Sequence, residues 1–200
     1  SVGTGKSEVA KIFIEKKIPV FDSDKQVSSI LKRKQVLEKL KKNFPTAFEK
    51  KSLIRKNLAH IVFNDKHKLK ILENIIYEKL KEVQFKWIRL LIRKRTKLAV
   101  WDVPLLFEKD NVQKYDFILV TTCSYSVQKY RVLKRKDWNY KRFELTLRKQ
   151  VSDKYKRKNA DMIFFSDRGK RYSYNKVTYM LKKLIINKKR TADKILINFK

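Results

Sequence analysis

Apolar residues follow two patterns along this chain, and the two patterns alternate. Spacings of three and four mark helices, and unbroken apolar runs of four to six mark buried strands. The first helix runs from Glu8 to Lys17, with Val9, Ile12 and Phe13 on one face. The run Ile18-Pro19-Val20-Phe21 reads as a short strand. A helical region from Lys25 to about Asn43 carries Val27, Ile30, Leu31, Val36, Leu37 and Leu40, and Asn43-Phe44-Pro45 breaks it. Lys51 to His60 reads as a short helix. Asp65 to Arg93 has the strongest periodicity, with Leu69, Leu72, Ile76, Leu80, Val83, Trp87 and Leu90 forming a packing stripe.

The second half alternates more clearly. Lys97 to Asp102 is a strand that ends in a carboxylate, and Phe117 to Thr122 is a second. Neither alternates apolar with polar, as a strand covered on both faces requires. Helices are expected over Ser124–Lys136 and over Tyr140 to about Lys158. Met162 to Phe165 is a strand, and Ser173 to Ile186 is a last amphipathic helix. The pattern predicts an α/β fold with a parallel sheet covered by helices. Residues 27–96 hold helices and no convincing strand, so they read as a helical lobe inserted into a core made of 1–26 and 97–186. Residues 187–200 form a basic, loosely ordered tail.

Charge complicates this picture less than its size suggests. Lys and Arg number 52 against 20 Asp and Glu, a formal net charge of +32. That excess calls first for a nucleic-acid hypothesis, but it is spread over the whole chain instead of gathered in a patch. Abundant Lys, Ile and Asn with scarce Gly, Pro and Ala fit compositional drift in an AT-rich genome, tolerated with help from a polyanionic ligand. Nucleic-acid binding is therefore not expected beyond a non-specific level. No run approaches the roughly 20 apolar residues of a membrane span. The one cysteine, Cys123, cannot form an internal disulfide, which suggests a reducing, cytoplasmic setting. No feature of the sequence sets an oligomeric state.

Candidate chemistry begins near residue 1. Val2-Gly3-Thr4-Gly5-Lys6-Ser7 reads as the back half of a phosphate-binding loop, whose full pattern is Gly, four residues, then Gly-Lys-Ser/Thr. Inward-facing backbone N–H groups and the following helix N-terminus make an anion site there. Lys6 would reach the β- and γ-phosphates of ATP, and the Ser7 hydroxyl would hold Mg²⁺. The pattern's first Gly would fall one place before Ser1, with a buried strand before that, so the sequence reads as lacking its natural start. The bland alternative is a flexible terminal turn. The order of loop, helix and strand favours the phosphate loop.

Three sets of residues could complete a kinase. Asp22 and Asp24 follow the second element, at the sheet edge where such folds bind ligands. Asp24 is the candidate base, with helix N-cap as its alternative, and Asp22 is a supporting carboxylate. Asp102 closes an apolar strand, as a metal-side carboxylate does, or else is a turn residue. Arg131 and Arg135, four apart in one helix, could neutralise a transferring phosphoryl group. Arg142 and Arg148 in the next helix read more simply as solvated.

At this point the chain resembles the dephospho-coenzyme A kinases. The resemblance is carried by Gly3-Thr4-Gly5-Lys6-Ser7, Ile18 to Asp24, Asp102-Val103-Pro104-Leu105-Leu106-Phe107-Glu108, Gln128-Lys129-Tyr130-Arg131 with Arg135, Gln150 with Lys154, and Ala160-Asp161-Met162-Ile163. It implies Mg²⁺-dependent transfer of the ATP γ-phosphoryl to the ribose 3′-hydroxyl of dephospho-coenzyme A. It further implies a lid over about 136–158, Asp24 as base, Lys6 and Ser7 on phosphate and metal, and Pro104, Leu105 and Leu106 on the substrate side. Departures are Tyr77-Glu78-Lys79 in place of His-Pro-Leu, an inserted Lys136, and Ser166-Asp167-Arg168-Gly169 in place of Asn-x-Gly. Two other readings stand beside this one: a P-loop kinase with another small acceptor, and a non-catalytic P-loop protein that binds RNA through its charge.

Overall fold

The computed structural model describes the backbone of residues 1–50, 52–63, 65–103, 105–108 and 112–190, with side chains to 184. Pro104 of the expected substrate segment and residues 191–200 of the expected tail lie outside the described residues. The chain divides into two compact units. One comprises Ser1–Phe21 and the chain from Lys97 onward, and the other is Asp22–Thr96.

In the first unit, helix α1 (Lys6–Glu15) starts directly from Gly5 and buries Val9, Ile12 and Phe13. Its end is a Schellman turn, in which Lys17 N–H donates to the Ile14 carbonyl (2.8 Å) and Ile18 N–H to the Phe13 carbonyl (2.9 Å). Glycine usually occupies the left-handed position of that turn; here Lys17 does, at φ 59°. Strand β1 (Val20–Asp22) follows.

The second unit then intervenes. The helical region expected from Lys25 to Asn43 is two helices, α2 (Ser23–Ile30) and α3 (Lys34–Asn43). A 3₁₀ turn at Pro45–Ala47 leads into a two-residue hairpin, β2 (Phe48–Glu49) with β3 (Ser52–Leu53). No strand is predicted there. The hairpin turn puts Lys50 at φ 42°, without the Gly or Asn that would have announced it. Helix α4 (Arg55–Phe63) and the long α5 (Lys66–Arg93) complete the unit. Its core is Ile30, Val36, Leu40, Phe44, Ala47, Leu58, Val62 and Ile75, with Leu72, Leu80 and Val83 of the predicted stripe packed against it. At its ends that stripe misplaces the buried face: Leu69 and Leu90 are exposed, while Ile75 and Leu91 are buried. The buried positions thus drift against the predicted stripe along the 28 residues of the helix, Ile75 falling one place before Ile76 and Leu91 one place after Leu90.

The first unit resumes with β4 (Val100–Asp102), which pairs with β1 and stacks Trp101 on Phe21, ring centres 5.8 Å apart. Strand β5 (Leu119–Thr122) leads to α6 (Tyr125–Leu133). The charged helix expected over 140–158 is α7 (Tyr140–Arg148) and α8 (Asp153–Lys158), divided where the Ser152 hydroxyl caps α8 by accepting from Tyr155 N–H. Strand β6 (Met162–Phe165) pairs parallel with β5, Leu119 opposite Met162 through Thr122 opposite Phe165. Helix α9 (Lys170–Arg190) extends beyond the predicted Ser173–Ile186 at both ends. Phe13 of α1, Phe164 of β6 and Val177, Met180 and Leu181 of α9 form the core, flanked by Ile18, Val20, Val100 and Leu119. Among the described residues the strands of this unit form two pairs, β1–β4 and β5–β6, the second parallel.

Candidate active site

The loop before α1 is held from several sides. Gly3 (φ 72°) and Gly5 (φ 87°) both take the left-handed conformation that favours glycine. A Cβ on Gly3 would lie 2.6 Å from Val132 Cγ2, and one on Gly5 would lie 2.8 Å from the Ser166 side chain. Helix α6 and the turn after β6 therefore press against the loop where it lacks side chains. Between the glycines, Thr4 is buried, and its hydroxyl donates to the Ser1 carbonyl (3.0 Å) and lies 3.1 Å from the Thr121 hydroxyl of β5. Both polar backbone groups of Val2 are taken: its N–H donates to Gln150 Oε1 (3.2 Å), and its carbonyl accepts from Gln128 Nε2 (2.6 Å). Cys123 Sγ lies 3.8 Å from the Gly3 carbonyl, and burial, only partly offset by the Arg131 charge, pushes its thiol up. The Gly5 carbonyl then accepts from Glu8 and Val9 N–H, which starts the helix.

The first side chain of that helix reaches β4. Lys6 Nζ lies 3.1 Å from Asp102 Oδ1, with both side chains largely covered. Ser7 is exposed, one residue further along. Strands β1 and β4 each close on an aspartate. Asp22 is the N-cap of α2, its Oδ1 accepting from Lys25 N–H at 2.8 Å. Asp24 lies within the first turn of α2, exposed, so the capping role considered for it belongs to Asp22.

The loop's two left-handed glycines and its lysine on the strand-end Asp102 have the form of the phosphate loop expected from the sequence. A model of the family described as "Dephospho-CoA kinase" matches residues 1–170. The chain belongs to the dephospho-CoA kinase family. It is accordingly an ATP-dependent phosphotransferase of the P-loop class. The dephospho-CoA kinase of Bartonella quintana (strain Toulouse) is 33% identical over 187 residues, covering 94% of this chain and 96% of that protein. That of Fusobacterium nucleatum is 35% identical over 164 residues, covering 81% and 83%. Among solved structures, TT1252 from Thermus thermophilus matches with a TM-score of 0.80 at 26% identity, covering 92% of this chain and 94% of that one. The dephospho-CoA kinase from Campylobacter jejuni shares the fold, with a TM-score of 0.67 at 24% identity and 92% and 93% coverage.

Within the family site, the two arginines differ. Arg131 forks onto Ser166, Nη1 donating to its hydroxyl (2.7 Å) and Nη2 to its carbonyl (2.9 Å), beside Gly5. Arg135 is not on the same helix face: α6 ends at Leu133, and Arg135 lies exposed beyond the cap. Arg142 is turned to its own turn, donating to the Asp137 carbonyl and stacking on Trp138. Ser166, standing where the resemblance anticipates Asn, is thus Arg131's acceptor. Its neighbour Asp167 accepts from Ser124 N–H (2.8 Å), and that bond holds its carboxyl below the usual range. Tyr77, Glu78 and Lys79 lie on α5, with Tyr77 exposed, Glu78 paired to Lys39 and Lys79 to Glu82. Leu105 is exposed and Leu106 half-buried in the turn after β4.

Sequence reasoning did not anticipate Thr4 with Thr121, or the part played by Gln128 and Gln150. It also named Lys154, which is exposed, where Lys156 is the buried lysine of α8.

The donors at the loop suit Mg²⁺. Ser7 and Asp102 offer a hydroxyl and a carboxylate, both oxygen, and Mg²⁺ binds through one or two carboxylates with the rest of its shell from water and phosphate. Among the described residues there is no cluster of three or more His, Cys, Asp or Glu. Nor is any described helix long and apolar enough to cross a membrane.

Proposed function

We propose that this chain phosphorylates the ribose 3′-hydroxyl of dephospho-coenzyme A with ATP, in the cytoplasm, with Asp24 as the base. The bond from the 3′-oxygen to the γ-phosphorus forms while the bond to the β-bridging oxygen breaks. The hydroxyl proton passes to the Asp24 carboxylate, and ADP leaves with its charge. The observation that carries the reading is the Lys6–Asp102 pair at the mouth of a loop whose two glycines are left-handed and hemmed in. The pair supports the reading because it holds the lysine beside the loop, where its charge would favour an arriving phosphate.

Each residue has a role in this reading. The backbone N–H groups from Gly3 to Ser7, at the start of α1, would hold the phosphates, the Val2 N–H expected among them being already taken by Gln150. Lys6 would exchange Asp102 for phosphate oxygens. Ser7 and Asp102 are the residues that would hold Mg²⁺, which would supply neutralisation of phosphate charge. Arg131, beside Gly5, would add its charge to the transferring group, and Arg135 would approach only from the exposed side. Asp22 combines capping of α2 with orientation of the acceptor, and Pro104, Leu105 and Leu106 would line its side.

Asp24→Asn tests the assignment. The expected result is a fall in kcat of roughly 10²- to 10⁴-fold, the usual worth of a positioned base, with ATP affinity largely kept. Near-normal turnover would remove Asp24 from the chemistry. Running the parent protein with dephospho-coenzyme A, nucleosides, nucleoside monophosphates and shikimate as acceptors tests the substrate separately.

A further inference from the structure

We propose that Lys156 is a positioning residue for the phosphate loop, one that sets nucleotide affinity without touching nucleotide. The inference rests on the loop being the ATP site. Helix α8 carries four basic residues, Lys154, Lys156, Arg157 and Lys158, and three of them are exposed. Lys156 alone is buried, at 4% exposure. Its ammonium lies 2.6 Å from Glu108 Oε1, the two side chains 5% and 13% exposed.

A pair so deeply covered is a poor stabiliser unless every remaining donor and acceptor is satisfied, because both charges lose their hydration. This one is not fully satisfied. Glu108 Oε1 also accepts from Val151 N–H (3.1 Å), but Glu108 Oε2 is buried with no partner. Two apolar side chains of similar volume would hold the fold about as well. What they could not do is make the other contacts.

Those contacts converge on the loop. Lys156 Nζ also reaches Ser1 Oγ (3.4 Å), and Ser1 supplies the carbonyl that anchors the buried Thr4 hydroxyl. Gln150, one residue before the Val151 N–H that Glu108 accepts, takes the Val2 N–H. The start of α8 is pinned in turn to β5, where Thr122 Oγ1 donates to Asp153 Oδ1 (2.9 Å), next to the Thr121 that meets Thr4. One ammonium therefore joins three segments: the turn after β4, the α7–α8 junction, and the loop at Ser1. The pair acts as a strut that sets where the loop's N–H groups point.

The test uses the full-length protein and its Lys156→Met, Glu108→Leu and double variants. Denaturant unfolding reports stability, titration calorimetry with Mg²⁺–ATP reports affinity, and steady-state kinetics separate KM from kcat. Lys156→Met leaves Glu108 buried and unpaired, so both stability and ATP affinity should fall. The affinity loss should be about 3- to 30-fold, the scale on which supporting residues tune a site they do not contact. The double variant should regain the parent's unfolding midpoint yet keep the weakened affinity and raised KM. A double variant that recovers affinity together with stability, or that stays as unstable as Lys156→Met, overturns the assignment, as does a single variant with unchanged affinity. A parent protein that binds no ATP would instead sink the phosphate-loop reading itself.

Discussion

Replacing Gly3 by alanine adds one carbon at the most confined point of the loop. Two costs add. Alanine at φ 72° bears the left-handed penalty, about 1–2 kcal/mol for a residue with a Cβ. The new methyl also lands 2.6 Å from Val132 Cγ2 and 3.1 Å from the Gln128 carbonyl. Val132 is fully buried and Gln128 contributes backbone, so neither can simply swing aside. Overpacking of this kind costs about 1–3 kcal/mol. The sum, about 2–5 kcal/mol, is a large part of the 5–15 kcal/mol that holds a typical domain together. The loop can relieve the overlap by shifting, which would lower ATP affinity in place of some stability. Urea unfolding and calorimetric titration with ATP, run together, capture both routes. A Val132→Ala partner supplies the internal check: removing the 2.6 Å contact should return about 1–3 kcal/mol as a favourable coupling, while the φ penalty remains. A Gly3→Ala variant that unfolds within about 0.5 kcal/mol of the parent and binds ATP equally well would refute the packing argument.

Lys6→Ala should weaken ATP binding and turnover together, because in the proposed reading its charge would face phosphate in the ground state as well as in the transition state; unchanged ATP binding, by calorimetry, would mean that the loop does not hold phosphate. Asp22→Ala removes the cap of α2 and should cost about 0.5–2 kcal/mol in urea unfolding, and Asp22→Asn should cost clearly less. Acid should destabilise the protein partly through Glu108. Burial raises its pKa, but the Lys156 bond and backbone N–H groups outweigh it, so the folded carboxyl titrates below its ordinary 4.5. The stabilisation is therefore complete above about that value and lost as pH falls through the lower, folded one. Unfolding midpoints against pH should accordingly steepen below about 4.5, and Glu108→Gln should flatten that part of the curve.

Much of the fold was legible because the apolar pattern is strong where burial is one-sided or complete. Met162–Phe165 is continuous and apolar, and it is a strand from end to end. Val9, Ile12 and Phe13 lie at helical spacing and are all buried. The failures share a cause. The hairpin at 48–53 and the division between α7 and α8 carry no Gly, Asn or Pro, so they are invisible to rules that depend on those residues. The loop, Asp102 and Asp24 could be singled out because a short local motif and two strand ends mark them in the sequence. Gln128, Gln150 and Lys156 serve the loop through contacts spanning more than a hundred residues, and such contacts leave no local periodicity to read.

The left-handed residues carry a wider consequence. Lys17, Lys50 and Arg95 each occupy a conformation for which glycine is the usual choice, in a chain with three glycines. Each forgoes on the order of 1 kcal/mol relative to glycine, partly recovered because a residue with a side chain has less freedom to lose on folding. A biased amino-acid alphabet thus reaches beyond surface charge into the backbone itself. It draws down the thermal headroom of the protein at each of these turns. A lineage under such bias would meet its ceiling as a temperature limit on folding well before any catalytic residue had to change.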